Sequence, residues 1–199
     1  MRLGVDFDNT LVCYDGLFHD VAVAWGLLAE DGPRDKDGVR NWFVECDREE
    51  DFTRLQGEVY GPGLQKAFPY PGALECLAGL KAKGASLFLI SHKTSRPVLG
   101  PAHNLRAAAR NWLEAKGFIS QELFAPADIF FEDTIAAKAA RIAALGCTHF
   151  IDDLERFLLC PEFPPGVARL LFKPSARPVC SATLAAFSDW RELPTLLPS

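Results

Sequence analysis

Short unbroken apolar runs alternate along this chain with longer stretches whose apolar residues recur every three or four positions, and few folds accommodate that alternation. The runs at residues 3–7, 86–90, 129–131, 149–151 and 167–172 are rich in β-branched, leucine or aromatic residues and are flanked by turn or helix-like sequence, so each predicts a strand. Their continuous apolar character predicts burial on both faces, as in parallel sheets. Between them, Leu74, Leu77 and Leu80 form a helical stripe that ends at Gly84. Leu105, Ala109, Trp112 and Leu113 form a second ending near Gly117, and Ile135, Ala139, Ile142 and Leu145 a third ending at Gly146. Helices that each lead into a strand predict an α/β core with a central five-stranded, mainly parallel sheet.

One segment breaks the rhythm. Between the first strand and Pro71-Gly72 lie about sixty residues with no strand-like run, too many for an ordinary loop. Val21, Trp25 and Leu28, and again Val39, Trp42, Phe43 and Cys46, stand at helical spacing. The expected division is therefore an α/β core of residues 1–13 and 71–199 with a helical insertion at 14–70. Trp25, Trp42, Phe43, Phe52, Tyr60 and Phe68 supply most of the insertion's own small core. Residues 181–197 read as a final helix anchored by Trp190.

Composition narrows the partners. At 199 residues with 49% hydrophobic content and a net charge of −5, the chain reads as an ordinary globular protein. The acidic balance argues against nucleic acid or an anionic membrane as main partner. No apolar run is long enough to span a bilayer, and MRLGVDFD does not open like a signal peptide. Six cysteines without a C-x-x-C pair read as buried hydrophobes of a reduced, cytoplasmic protein.

Chemistry-bearing residues gather where three of these strands end. Asp6-Phe7-Asp8-Asn9-Thr10 follows the first, Ser91-His92-Lys93 the second, and Asp152-Asp153 the strand at 149–151. Parallel strands bring such ends to one edge of the sheet, where open α/β folds bind ligands. Four carboxylates in one pocket require a cation, and hard oxygen donors without a Cys/His cluster favour Mg²⁺. Mg²⁺ held by one or two carboxylates suits phosphoryl transfer.

These residues resemble the haloacid dehalogenase superfamily, a Rossmann-like fold. Its first motif, D-x-D-x-T after a hydrophobic strand, matches Asp6, Asp8 and Thr10. Ser91 matches its second motif, Lys138 the lysine of its third, and Asp152 with Asp153 the acidic pair of its fourth. The resemblance implies that Asp6 attacks phosphorus, forming an aspartyl-phosphate, while Asp8 serves as general acid and then base. It implies Mg²⁺ on the Asp6 carboxylate, the Asp8 carbonyl and the acidic pair, with Asp153 preferred to Asp152. Thr10, Ser91 and Lys138 are implied phosphate-binding residues. Lys93 competes with Lys138 for the phosphate, and Lys173 is a more remote alternative. The insertion corresponds in position to a cap that selects small organic phosphates. Within it, Arg34, Lys36, Arg40, Arg48 and Arg54 are candidates for a substrate clamp or, individually, for a solvated helix face.

Because a halide leaves without a proton, the family's dehalogenases lack the second aspartate, so Asp8 points to phosphate chemistry. The expected activity is Mg²⁺-dependent hydrolysis of a small phosphomonoester, such as a sugar phosphate or nucleotide. A phosphomutase using the same aspartate pair and a catalytically silent binding protein are the alternatives. His92 is read as a supporting loop residue.

Overall fold

The computed structural model describes residues 1–174 and 184–197. Its organising element is β1 (Arg2–Val5), whose apolar residues are completely buried between two parallel neighbours. On one side lies β4 (Ser86–His92), followed by β5 (Ile129–Glu132). On the other lie β6 (His149–Asp152) and β7 (Ala168–Phe172). With β8 (Ala185–Phe187) at the far edge, strand order is β5-β4-β1-β6-β7-β8, and every neighbouring pair is parallel. Gly4 permits this packing, because a Cβ there would sit 2.5 Å from the Phe150 ring of β6. The architecture is the expected α/β one, with Rossmann-like topology.

The sheet has six strands instead of five. The sixth, β8 (Ala185–Phe187), lies in the segment expected to be helical. Residues 181–183 lie outside the described part, while 190–192 form a 3₁₀ turn and Leu193–Leu196 a single helical turn, α8. Alanines carry little strand preference, so packing decides the outcome. Phe187 and Trp190 meet Phe172 of β7 with ring centroids 5.2 and 5.7 Å apart.

The chain divides into two compact units. The first comprises Met1–Val12, Pro69–Lys93 and the chain from Lys116 onward. It holds the six-stranded sheet with α4 (Ala73–Ala82), α6 (Ile135–Ala144) and α7 (Glu155–Leu158). The second comprises Cys13–Phe68 and Thr94–Ala115. It contains α1 (Leu17–Ala24), α2 (Lys36–Glu45), α3 (Glu49–Tyr60), a 3₁₀ turn at Pro62–Lys66 and α5 (Leu105–Ala115). Short strands β2 (Val12–Cys13) and β3 (Phe68–Pro69) pair with each other.

Residues 94–115, assigned to the core on sequence grounds, thus group with the inserted segment. The reason is visible in α5, where the buried Trp112 indole donates to the Ala67 carbonyl at 3.0 Å. Phe43 and Phe52 are buried within this unit as expected, joined by Tyr14 and Phe18. Trp25 and Phe68 depart from that expectation, being 42% and 72% exposed. Among the described residues, no helix is long and apolar enough to cross a membrane.

Candidate active site

Three adjacent strands, β4, β1 and β6, end at one edge of the sheet, and their ends carry the residues singled out in sequence. Past Val5 the chain stays in register for one more residue, as the Asp6 amide donates to Ile151 O at 2.9 Å. It then turns sharply. Asn9 takes the left-handed conformation (φ 55°) that a short polar side chain tolerates, and the Leu11 and Val12 amides both donate to Phe7 O. The turn leaves Asp6 and Thr10 buried and Asp8 half-buried.

Ser91, near the end of β4, is buried opposite Phe131 of β5. His92, alternating with it, is exposed, and its Nε2 lies 3.1 Å from Asp133 O. Lys93 follows the strand and is drawn inward. Its Nζ donates to both carboxylate oxygens of Asp8, at 3.0 and 2.9 Å, and lies 5.1 Å from the Phe7 ring centroid.

Lys138 arrives from α6. That helix is capped by Thr134, whose hydroxyl accepts the Ala137 amide at 3.0 Å. Lys138 precedes Ile142 by one helical turn and shares its buried face. Its Nζ bridges Asp6 Oδ1 and Asp152 Oδ2, each at 2.6 Å, beneath the Phe157 ring at 4.4 Å. The second oxygen of Asp152 accepts the Leu154 amide at 2.9 Å. Asp153, the next residue, is half-buried.

The Asp6 carboxyl is raised to about 7: burial drives the rise, Lys138 opposes it, and Asp152 adds to it. Burial disfavours the Lys138 ammonium too, but the carboxylates of Asp152 and Asp6 prevail and raise its pKa. Carboxylate oxygens of Asp6, Asp152 and Asp153 all lie within 4.8 Å of one another. An all-oxygen donor set this close fits a hard divalent cation such as Mg²⁺.

Sequence left Lys93 and Lys138 as competitors; both are at the site, each on a different aspartate. Lys173 follows β7, two strands from β1. In the second unit, Arg48 pairs with Asp51, and Arg54 with Glu50 and Asp51, along α3. Lys36 lies over the Phe18 and Tyr60 rings. One contact had no sequence signal beyond its aromatic type: the Trp190 indole donates to Thr10 O at 3.3 Å. The inward phase of Lys138 did have one, a lysine on the Ile142 face of an otherwise apolar stripe.

No protein-family model and no curated protein sequence matches the chain. Solved structures do. A predicted phosphoglycolate phosphatase of Haemophilus somnus superposes with a TM-score of 0.59 at 16% identity, covering 98% of this chain and 96% of that one. A haloacid dehalogenase family hydrolase of Deinococcus radiodurans, with bound phosphate and sodium, gives 0.56 at 17% identity, covering 96% and 92%. A hydrolase of the same superfamily from Bacillus subtilis, bound to magnesium, gives 0.52 at 14% identity, covering 98% and 97%. The chain has the fold of these hydrolases over essentially its whole length.

Proposed function

We propose that this chain is a Mg²⁺-dependent phosphatase of the haloacid dehalogenase superfamily, acting on a small organic phosphomonoester. The observation that carries the reading is the cluster of Asp6, Asp152 and Asp153, with Lys138 bridging Asp6 to Asp152 and Lys93 on Asp8. In this reading the Asp6 carboxylate attacks phosphorus, an Asp6–phosphorus bond forms and the ester P–O bond breaks. Asp8 gives the leaving oxygen its proton, then takes one from the water that attacks the aspartyl-phosphate and frees Asp6. Lys93, with its ammonium on both Asp8 oxygens, orients that carboxylate and stands beside the incoming phosphate. Lys138, with Ser91 and Thr10, balances charge that builds on the phosphoryl oxygens.

Asp6, Asp153 and the Asp8 carbonyl would hold Mg²⁺, which supplies positive charge beside the nucleophile and the phosphoryl group. Asp152 is completely buried and Asp153 only half-buried, which favours Asp153 as the ligand that meets a metal arriving from solvent. The second unit serves as the cap that selects substrate, and the enzyme works in the cytoplasm. The test is phosphate release from a broad phosphomonoester panel with and without Mg²⁺. Release should require the metal and fall to background in Asp6→Asn. Full activity in that variant removes the nucleophile, and an inert wild-type chain favours a binding protein.

A further inference from the structure

The turn carrying Asp6 and Asp8 is fastened both from within and from outside. Within it, Phe7 O accepts the Leu11 and Val12 amides, whereas Leu11 O accepts the Tyr70 amide at 2.9 Å from outside. Thr10 is completely buried, and its hydroxyl has no hydrogen-bond partner. Its carbonyl would also be a costly buried acceptor if left alone. It receives the indole N–H of Trp190, 180 residues away.

Trp190 is itself rigidly placed. It is completely buried between Phe172 and Phe187, with ring centroids 5.7 and 5.8 Å away. It opens a 3₁₀ turn capped by Asp189, whose side chain accepts the Arg191 amide at 2.9 Å. Gly72, at φ 81°, brings the start of α4 close, since a Cβ there would lie 3.5 Å from the Trp190 Cβ. Such packing leaves the indole few ways to reorient.

Resting on the phosphatase reading, we propose that Trp190 is a positioning residue: by holding the Thr10 carbonyl, its indole N–H fixes the turn that presents Asp6 and Asp8. The sixth strand and its 3₁₀ turn are thereby tied to the chemistry at β1. Small displacements of reacting groups cost rate steeply, so loss of this hold acts on kcat more than on KM.

Trp190→Phe removes the donor and keeps an aromatic ring. Trp112→Phe is its control, since that buried indole donates to a carbonyl at the shorter 3.0 Å but within the second unit. In Trp190→Phe we expect kcat to fall about tenfold with KM within about twofold, and Mn²⁺ affinity, read by electron paramagnetic resonance, to weaken about threefold. Trp112→Phe should keep kcat and Mn²⁺ affinity within about twofold of wild type, whatever it loses in melting temperature. Identical behaviour of the two variants overturns the proposal. If the wild-type chain releases no phosphate from the panel, the phosphatase reading fails and the Mn²⁺ comparison still decides the role of Trp190. Should Trp190→Phe not fold, the indole ¹⁵N–H resonances of the wild-type chain decide instead. The Trp190 signal should shift on adding Mg²⁺ with inorganic phosphate while that of Trp112 stays put, and an unmoved Trp190 signal rejects the proposal.

Discussion

Lys138 and Lys93 both bury an ammonium against an aspartate of the β1 turn, but their surroundings differ. Lys138 bridges two carboxylates whose side chains are only 7% and 0% exposed. Lys93 meets one whose side chain is 21% exposed. Water can therefore take over part of the work of Lys93 and almost none of that of Lys138. A buried charge left alone costs far more than one with access to solvent. In the proposed reaction, the first lysine holds the site together electrostatically; the second aims a group that has to meet substrate and water.

Lys138→Met should therefore show the largest effect. It leaves Asp6 and Asp152 buried without their cation, which should cost about 3–5 kcal/mol in the metal-free chain. Urea unfolding measures it, and Mg²⁺ should restore part of the loss by binding the native state. Phosphate release should fall by roughly 10²–10³, the usual cost of removing a group that stabilises developing charge. Stability unchanged within error would mean that the two carboxylates do not depend on this ammonium.

A pH titration sharpens the same contrast. The Asp6 carboxyl is raised from 3.8 to about 7 mainly by burial, so between these values the native chain binds more protons than the unfolded one. The corresponding stability is full below about 4 and is lost as pH rises towards about 7. Asp6→Asn lacks this titration, so relative to metal-free wild type it should gain stability across that window. Saturating Mg²⁺ should diminish the difference. A gap between the two urea midpoints that stays constant from pH 4 to 7 contradicts the assignment.

For Lys93→Met the order of effects reverses. The Asp8 carboxylate regains water, so the stability loss should stay near 1 kcal/mol or below. Its aim is lost, however, and phosphate release should drop by about 10- to 100-fold. Replacement of Asp8 by Asn in the same chain tests the pairing: the second substitution should add less to the loss than it does in the wild-type background. Fully additive losses would separate the two residues.

What sequence revealed follows from how local each signal was. The runs at 3–7, 86–90 and 149–151 marked β1, β4 and β6 because strands buried on both faces stay apolar throughout. Their carboxyl ends then placed Asp6, Ser91 and Asp152 at one edge, as parallel pairing demands. β8 was illegible, since Ala185 and Ala186 carry no strand preference and the pairing with β7 is secured by Phe187 and Trp190 packing on Phe172. Residues 94–115 read as core because a helix after a strand reads as sheet-covering, whereas the Trp112 indole bond to Ala67 is a tertiary contact. The division of the two lysines between Asp6 and Asp8 was equally hidden, for it depends on side-chain reach across separate elements.

The smallest effect separates a lysine carried by a helix from one carried past a strand end. Lys138 sits in the first turn and a half of α6, whose start is fastened by the Thr134 hydroxyl on the Ala137 amide. Thr134→Ala should cost about 1 kcal/mol in unfolding and loosen the turn that presents Lys138. Thr134→Ser keeps the hydroxyl and should recover nearly all of it. Lys93 has no such dependence, because its backbone amide is held by Glu132 O of β5 at 2.9 Å. Thr134→Ala should therefore weaken the coupling measured between Lys138 and Asp6 in a double-mutant cycle and leave that between Lys93 and Asp8 unchanged. Equal changes in both cycles would show that the two lysines answer to a single unit of structure.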